Sequence, residues 1–436
     1  MKHSGIPWMG KIPSNWRIGK VKHFYRFITG FTPDSKNESF YDENGIPWVT
    51  ISDMDGKYVV GTKNGISPNY VSAKNPTLVP SNSLLYSFKL SVGQVARTTF
   101  DVYTNEAIAS FLPLDNISLD YLFYSSQVCI IENANENIYG AKLLNQDLIN
   151  NATILFPPLE EQQKIASFLD RKCSEIDEMI ALQEKIVEEL KAYKQSVITE
   201  AVTKGLNPDV PMKDSGTDWI GEIPEHWKMC RVKDILEAGK DGIKIGPFGS
   251  SLTNKVNGDG ECKIYGQWNI VNKDFTAGKN FVSAETYKEL DAYKIVAGDI
   301  LVSMMGTIGK CAIIPNGLQD GIMDSHVIKI RINKNFINPE FFELMYDKDN
   351  STFIFEQLSR MKKGSIMDGL NSSIIKRLNL LLPPIDEQQE IVSYLLEKRS
   401  KIESLISIKL SKIDSLKEYK KSIIYEYVTG KKEVIE

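Results

Sequence analysis

The sequence has few of the residues that build metal centres or disulfide frameworks. Its 436 residues include four histidines and five cysteines. The cysteines are never within a metal-ligand spacing of one another, and they are Cys129, Cys173, Cys230, Cys262 and Cys311. Isolated cysteines in odd number are typical of reduced thiols in a core. We therefore expect no disulfide and no metal site in this chain.

Long apolar runs and an excess of basic residues are also absent. No stretch approaches the roughly 20 apolar residues that cross a bilayer, and no apolar segment follows the first residues as in a secretory signal. These absences predict a cytoplasmic protein without a membrane partner. The formal net charge of −4 at pH 7 disfavours a free-standing nucleic-acid binder, because such domains usually carry a basic excess. It permits one whose partners supply most phosphate contacts.

What the sequence does contain is a duplicated frame. The phrase W-x-G-x-I-P-x-x-W occupies Trp8–Trp16 and again Trp219–Trp227. The phrase P-P-L/I-x-E-Q-Q occupies Pro157–Gln163 and again Pro383–Gln389. Both phrases recur in the same order, so the chain is a tandem repeat with a shared frame and a divergent filling.

A long helix is predicted after each Pro-Pro pair. Neither glycine nor proline occurs from Glu160 to about Lys204 or from Asp386 to about Thr429, and Gly205 and Gly430 follow. Proline before the first turn and glycine after the last are the expected boundaries of a helix. At 1.5 Å per residue each helix would be about 65 Å long.

The heptad pattern of the two helices predicts that they pair with each other. Alternate steps of four and three residues meet mostly apolar side chains, and both series are polar at the same two positions, Gln183 with Lys409 and Lys194 with Lys420. Shared polar positions in a shared register favour a coiled coil of the two helices over two unrelated surface helices. The predicted seam consists of Leu169, Ile176, Ile180, Val187, Leu190, Val197, Leu395, Ile402, Ile406, Ile413, Leu416 and Ile423.

The segments between the phrases predict small β-rich domains with a few helices. Short β-branched and aromatic runs alternate with Gly, Asn, Asp and Ser turns, a pattern typical of strands. We predict strands at residues 47–53, 83–88, 299–304 and 326–332, and helices at 117–131 and 338–360. The repeat extends into these segments, since Leu84–Ser87 matches Ile300–Ser303 and Leu144-Asn145 matches Leu370-Asn371. The two domains should share an α+β fold.

This architecture resembles the specificity subunit of Type I restriction-modification systems. The likeness covers essentially the whole chain and depends on the two repeated phrases, with Gly246–Ser251 and Gly298–Leu301 as further matches. It implies two small β-rich target recognition domains separated by two long helices that pair as an antiparallel coiled coil with pseudo-two-fold symmetry. The implied boundaries are 1–157 and 208–382 for the recognition domains, and 158–207 and 383–436 for the helical regions.

The resemblance also implies a function and its partners. Each recognition domain would read one half of a bipartite sequence in double-stranded DNA. The helices would set the spacer and dock two methylation subunits, and through them restriction subunits. This chain would bind no cofactor, and S-adenosylmethionine, ATP and Mg would be bound by the partner subunits.

Catalytic motifs are not found in this sequence. A DNA adenine methyltransferase needs Asn before Pro-Pro, where this chain has Phe156 and Leu382. The Gly246–Ser251 stretch lacks the Lys-Ser/Thr ending of a phosphate-binding loop. Asp259 with Glu261 and Lys263 resembles a nuclease triad only faintly. We therefore predict a non-catalytic subunit with no catalytic residue.

The DNA-binding residues are predicted from side-chain chemistry. Base edges are read by side chains with donors and acceptors and by apolar groups that contact methyls. In the first domain the candidates are Lys36, Asn37, Ser52, Lys89, Ser91, Gln94, Arg97, Thr98 and Lys142. In the second they are Lys244, Ser250, Ser251, Asn254, Lys255, Gln267, Asn269, Met304, Thr307, Lys310, Lys362, Lys363 and Ser365.

A different class of function stays open from the sequence alone. Two β-rich modules on a coiled coil could form a protein-binding scaffold with no DNA role, and the acidic net charge favours that alternative. DNA binding would weaken steeply with salt once the methylation subunits are present, whereas a scaffold would show no such binding.

Overall fold

The computed structural model describes residues 1–89, 91–136, 138, 140–239, 241–247, 249–252, 255–256, 260–361 and 370–434. Its contacts divide the chain into two units. Unit 1 comprises Met1–Gln183 with Ser411–Glu436, and unit 2 comprises Glu184–Leu410. Within the described ranges, no helix combines the length and the apolar character needed to cross a membrane.

The N-terminal part of the chain forms thirteen described strands and four short helices before the first long helix. The strands are β1 Lys2–His3, β2 Lys11–Ile12, β3 Arg17–Lys20, β4 Phe27–Thr29, β5 Tyr41–Val49, β6 Asn64–Ile66, β7 Leu84–Ser87, β8 Val95–Arg97, β9 Tyr103–Thr104, β10 Ile108–Phe111, β11 Asn135–Glu136, β12 Lys142–Leu143 and β13 Thr153–Phe156. The helices are α1 Val21–Phe24, α2 Pro68–Lys74, α3 Leu119–Cys129, α4 Gln146–Asn151 and the long α5 Leu159–Lys204.

The rest of the chain repeats this plan. Its strands are β14 Met212–Asp214, β15 Glu222–Pro224, β16 Lys228–Arg231, β17 Ile243–Ile245, β18 Cys262–Tyr265, β19 Phe281–Val282, β20 Ile300–Ser303, β21 Cys311–Ile313, β22 Gly321–Met323, β23 Val327–Ile330 and β24 Asn379–Leu382. Its helices are α6 Gly249–Leu252, α7 Gln267–Asn272, α8 Ala284–Glu289, α9 Pro339–Tyr346, α10 Phe353–Met361, α11 Ser372–Arg377 and the long α12 Ile385–Val428.

The sheets of the two units have the same topology. Unit 1 has a four-stranded antiparallel sheet in the order β4-β10-β7-β8, and unit 2 has one in the order β17-β23-β20-β21. Each unit also has a three-stranded sheet, β6-β5-β9 or β19-β18-β22, in which one pair is parallel, β5 with β9 and β18 with β22. This confirms the predicted α+β tandem repeat of two β-rich domains.

The residues that match between the repeats occupy equivalent places. Leu84–Ser87 and Ile300–Ser303 are the inner strands β7 and β20, and both are buried throughout. Asn145 and Asn371 cap α4 and α11, because each side chain accepts a hydrogen bond from a backbone N–H three residues later. The pattern therefore identified buried strands and helix caps.

One predicted helix is broken in the structure. The segment 338–360 was expected to be continuous, but α9 ends at Tyr346 and α10 begins at Phe353. Between them the Asp347 carboxylate accepts a hydrogen bond from Asp349 N, and the Ser351 hydroxyl accepts one from Phe353 N. Short polar side chains that bind nearby backbone compete with helix formation. The prediction of one helix is therefore wrong.

The two long helices begin within one residue of their predicted starts, and they are antiparallel. In unit 1, Leu169 and Ile176 of α5 share a core with Ile423 and Val428 near the end of α12. In unit 2, the relation is reversed, since the end of α5 shares a core with the beginning of α12. Each predicted seam side chain is buried or half-buried.

Polar seam positions form ion pairs within each unit. Lys420 of α12 lies 2.7 Å from Asp177 of α5 in unit 1. Lys194 of α5 lies 3.4 Å from Glu403 of α12 in unit 2. Such pairs at exposed positions stabilise little, so the buried apolar positions hold the helices together.

The glutamine of each P-P-L/I-x-E-Q-Q phrase joins a long helix to its domain. Gln162 is fully buried, donates through Nε2 to Pro157 O at 2.9 Å and accepts at Oε1 from Ser118 N at 3.0 Å. Gln388 donates to Pro383 O and accepts from Asn338 N in the same way. Since Ser118 and Asn338 cap α3 and α9, each glutamine fixes one short helix against the start of a long one.

The tryptophan phrases pack against the ends of the long helices. Trp16 and Trp227 are buried. Gly205 and Gly430 have positive φ, and a Cβ added at either glycine would lie within 3.3 Å of the corresponding tryptophan ring, Trp227 or Trp16. Glycine is therefore required twice over at these helix ends, by backbone conformation and by space.

Candidate nucleic-acid interface

Three segments of unit 2 meet where its strands end. The strands β18 and β22 are parallel, with Tyr265 opposite Met323, so both chains leave the sheet at the same edge. The strand β20 ends beside the beginning of β23, with Ser303 opposite Val327. The loop after β18, the loop after β20 and the segment between β22 and β23 therefore lie close together.

Backbone hydrogen bonds hold these segments in place. Asp324 N donates to Tyr265 O at 2.9 Å, and Met304 N donates to His326 O at 3.1 Å. The Gln267 side chain adds a bond to Met305 O at 2.6 Å. We call this set, Gly266–Asn269, Met304–Lys310 and Asp324–His326, the unit 2 loop cluster.

The unit 2 loop cluster borders a cleft of about 590 Å³. Its lining mixes exposed apolar side chains with polar ones. The lining residues are Ile264, Gly266, Gln267, Trp268, Asn269, Ala277, Gly278, Asn280, Met305, Asp324 and His326. A concave site of this mixed character can receive a ligand that presents both apolar and hydrogen-bonding groups.

Unit 1 builds the same arrangement with different side chains. Asn105 N donates to Val49 O at 3.0 Å, and Phe88 N donates to Ala107 O at 2.9 Å, which are the counterparts of the two backbone bonds in unit 2. The Gln94 side chain donates to Met54 O at 2.8 Å. The unit 1 loop cluster consists of the described residues in Thr50–Asp53, Phe88–Gln94 and Asn105–Ala107.

A capping turn fixes the correspondence between the two clusters. In unit 1, Thr50 N donates to the Asp53 carboxylate at 2.8 Å, and in unit 2, Gly266 N donates to the Asn269 side chain at 2.9 Å. Ser52 therefore corresponds to Trp268. The bonds from Phe88 N and Met304 N likewise make Lys89 correspond to Met305.

Six candidates of the first domain are exposed or lie in the unit 1 loop cluster. Ser52, Lys89 and Ser91 are exposed in the cluster, and Gln94 is half-buried there. Lys36 is exposed in the segment before β5, and Asn37 beside it caps a short 3-10 turn by accepting from Ser39 N. Lys142 forms a 2.9 Å ion pair with Glu136 across β11 and β12.

Arg97 and Thr98, by contrast, are buried. Arg97 is 8% exposed, and its guanidinium donates to the Asp120 carboxylate at 2.6 Å and to Asn82 O at 2.9 Å. The Thr98 hydroxyl donates to Pro80 O. The structure therefore gives both side chains intramolecular partners on the domain's own framework.

Four candidates of the second domain lie in the unit 2 loop cluster and are half-buried, Gln267, Met304, Thr307 and Lys310. Lys310 forms an ion pair with Asp349, and its side chain is 12% exposed. Burial lowers the pKa of its ammonium group. Asn269 is buried and donates to Asp274 O and Ala277 O, so it stabilises the turn that supports Trp268.

The remaining candidates are scattered or undescribed. The Lys244 ammonium lies 5.4 Å from the Tyr293 ring centre, Lys255 forms an ion pair with Glu289, and Ser251 is exposed on α6. Of Ser250 only the backbone, in α6, is described. The candidates outside the described residues are Asn254, Lys362, Lys363 and Ser365, together with Asp259 of the nuclease-like match.

Charges in the two clusters differ. In unit 1, Lys89 lies 4.0 Å from Glu106, which also accepts a hydrogen bond from the Thr32 hydroxyl. That hydrogen bond is the main reason why the pKa of Glu106 is lowered, so the group is a carboxylate at neutral pH. At the position of Lys89, unit 2 has the uncharged Met305. The unit 1 cluster therefore presents an exposed cation and anion where unit 2 presents an apolar side chain.

The sequence candidates did not include the most exposed side chains of the unit 2 cluster. Trp268 is 56% and Met305 52% exposed, and the His326 side chain is 56% exposed. Side-chain chemistry alone does not identify them, because the exposure of an apolar or aromatic side chain is set by tertiary contacts. Alignment of the two repeats could have identified them, since Trp268 aligns with Ser52 and Met305 aligns with Lys89, both polar residues.

A second exposed surface lies on the long helices. Large apolar side chains point away from the buried seam in both units. They are Met179, Leu182 and Tyr419 in unit 1, and Tyr193, Ile385, Tyr394, Leu396, Leu405, Ile408 and Leu410 in unit 2. Adjacent exposed apolar side chains mark protein-binding surfaces, and Met179 with Leu182 and Leu405 with Ile408 are neighbours three residues apart on their helices.

Metal and thiol chemistry find little support in the part of the chain that the structure describes. Within it, no group of three or more His, Cys, Asp or Glu side chains could hold a metal ion. The cysteines are free thiols, and burial raises the pKa of Cys173 and of Cys230 to about 11. Thiols with raised pKa values are poor nucleophiles.

Comparison with known proteins agrees with the motifs. The family model of the Type I restriction modification DNA specificity domain matches residues 13–192 and 224–412. The chain is 23% identical over 408 residues to the MjaVIII Type I restriction enzyme specificity subunit of Methanocaldococcus jannaschii, covering 88% of this chain and 86% of that protein. It is 26% identical over 239 residues to the MjaIX specificity subunit of that organism, covering 52% of this chain and only 53% of that protein.

A solved structure shares the fold. It comes from a study of the complex assembly and conformational transition of the type I R-M system. One of its chains matches this chain with a TM-score of 0.70 at 16% sequence identity. The match covers 96% of this chain and 98% of that one.

Proposed function

The chain belongs to the Type I restriction-modification DNA specificity family, and from this premise we propose that its two loop clusters are the surfaces that read DNA. As a specificity subunit it serves DNA recognition and is non-catalytic. Each cluster would read one half of a bipartite sequence in double-stranded DNA. Membership of this family also sets aside the scaffold without a DNA role.

The observation that carries the proposal is the contrast between frame and exposed side chains. The backbone bonds of the two clusters are equivalent, Asp324 N to Tyr265 O and Asn105 N to Val49 O. The side chains that these frames expose are different. Two readers on one scaffold with different contact residues are what a two-part, non-palindromic target requires, because base readout depends on side-chain chemistry.

We also propose that the exposed apolar side chains of the long helices dock two methylation subunits, and through them restriction subunits. Both α5 and α12 carry such residues in each unit: α12 contributes one in unit 1, Tyr419, and α5 contributes one in unit 2, Tyr193. S-adenosylmethionine, ATP and Mg would then be held by those partners. Partner subunits would also supply phosphate contacts, which agrees with the formal net charge of −4 on this chain. The complex would be cytoplasmic.

The test is an exchange of one recognition domain. Arg17 lies opposite Phe156 on the paired strands β3 and β13, so a segment exchanged at 17–156 enters and leaves the chain at adjacent positions. Replacing this segment with that of another family member should change one half of the methylated sequence and leave the other half and the spacer unchanged. Sequencing of methylated sites in cells with the whole system measures this.

The second unit supplies the matched control. Lys228 lies opposite Leu382 on β16 and β24, so an exchange at 228–382 has equivalent junctions. It should change only the other half of the sequence. If either exchange altered both halves, the two units would not be independent readers and the proposal would be wrong.

A further inference from the structure

The two loop clusters differ most where the apolar pair of unit 2 lies. Trp268 and Met305 are each more than half exposed, although burial of such apolar side chains is favourable. The corresponding residues of unit 1 are Ser52 and Lys89, which are exposed and polar. An exposed apolar pair in only one of two equivalent clusters indicates a contact that only that unit makes.

The apolar pair lines a recess. Both side chains border the cleft of about 590 Å³, together with Asn280, Asp324 and His326. The side-chain amide of Gln267, the residue before Trp268, donates a hydrogen bond to Met305 O at 2.6 Å. This bond ties the two segments that carry the apolar pair to each other. A side chain that wedges between bases has to protrude, whereas these two bound a concave site that is suited to receive a protruding group.

Few groups on DNA are both apolar and accessible. In the major groove the base edges present hydrogen-bond donors and acceptors, and the thymine C5-methyl is the apolar exception. We propose that Trp268 and Met305 form a contact for a thymine methyl, so that the half-site read by unit 2 contains a T·A pair that unit 1 has no means to read in this way. This inference rests on the proposed function.

The experiment uses the full complex with its methylation subunits and short duplexes of the methylated sequence. Each thymine of the unit 2 half-site, other than the one paired with the methylated adenine, is replaced singly by uracil, which lacks only the methyl. Burial of one such carbon contributes about 0.8 kcal/mol, so at one position the dissociation constant should rise about fourfold. Salt is held constant throughout.

The variants W268A and M305A then identify the contact. In either variant the ratio of the uracil to the thymine dissociation constant at that position should fall from about four toward about one, since the methyl has lost its partner. V296A is the matched control: Val296 is 53% exposed in the same unit and lies before the first residue of β20, whereas Met305 lies beyond its last. It should retain the fourfold difference. Binding of non-specific DNA should be equal in all of these complexes.

Three results would overturn the inference. The first is a unit 2 half-site whose only thymine is the excluded one. The second is an unchanged dissociation constant when each remaining thymine is replaced by uracil. The third is a methyl effect that persists in the double variant W268A/M305A. If W268A instead prevented assembly with a partner subunit, the pair would be a protein contact. A complex that bound no DNA sequence specifically would refute the proposed function itself. Specific binding of the unsubstituted duplex together with no effect of uracil would refute only the methyl contact.

Discussion

Replacement of Gln162 with leucine should weaken the junction between α5 and the first domain without changing the DNA sequence that is read. The Gln162 side chain is fully buried and makes two hydrogen bonds to backbone, from Nε2 to Pro157 O and to Oε1 from Ser118 N. Leucine fills similar space but offers neither donor nor acceptor. The variant Q162L would leave one carbonyl and one N–H without a partner.

The magnitude follows from those two groups. A buried polar group left unpaired costs about 1–3 kcal/mol. Pro157 is buried, whereas Ser118 is half-buried, so water can compensate part of the loss at its N–H. We therefore expect a loss of about 2–4 kcal/mol in local stability. Ser118 caps α3, so the first turn of α3 should open more often.

Hydrogen exchange of the assembled complex measures this directly. Protection of the Tyr121 and Leu122 amides, which donate to the Ser118 hydroxyl and carbonyl, should fall by a factor that corresponds to the local loss. Q163L is the control, because Gln163 is the exposed neighbour on the same turn and surface substitutions usually change stability by less than about 0.5 kcal/mol. Methylated sites should be the same in Q162L, Q163L and the parent.

Two outcomes would refute the reasoning. Equal protection in Q162L and Q163L would mean that the two hydrogen bonds do not hold α3 to α5. A changed methylated sequence in Q162L would mean that the glutamine takes part in reading DNA.

Two further predictions concern a buried arginine and the length of the helices. R97M removes both donors to Asp120 and Asn82 and should lower the free energy of unfolding by about 1–3 kcal/mol with the methylated sequence unchanged; a changed base in the methylated sequence would make Arg97 a reader after all. Four residues inserted between Val187 and Lys194 would lengthen α5 by about 6 Å, the rise of one or two base pairs. If the helices set the spacer, an assembled, active variant should methylate sites with one or two more unread base pairs, whereas an unchanged spacer would leave the helices as assembly surfaces only.

The sequence predicted the long helices well because their boundaries are local. Pro158 precedes α5 and Gly205 follows it, and the stretch between them combines a heptad pattern with the absence of glycine and proline, as a long helix requires. The inner strands were found for a similar reason, since β7 and β20 each begin with three apolar or aromatic residues and are buried throughout.

The candidate site was harder to predict because burial of polar side chains depends on distant partners. Arg97 has the chemistry of a base reader, and only the position of Asp120 on α3 makes it an internal side chain. Trp268 presents the opposite case: its large apolar ring suggests a core residue, whereas the turn capped by Asn269 leaves it exposed. Neither outcome can be read from local pattern, since both are set by tertiary contacts.

The same distinction explains which parts of the repeat stay alike and which differ. The loop clusters are held mainly by backbone bonds, such as Met304 N to His326 O and Phe88 N to Ala107 O, and a backbone bond places little demand on the side chain beside it. The junctions to the long helices depend on side-chain amides, those of Gln162 and Gln388, and both copies keep glutamine there. Side chains in the clusters can therefore change with little cost to the fold, which is what the proposed function requires of one chain with two readers of different specificity.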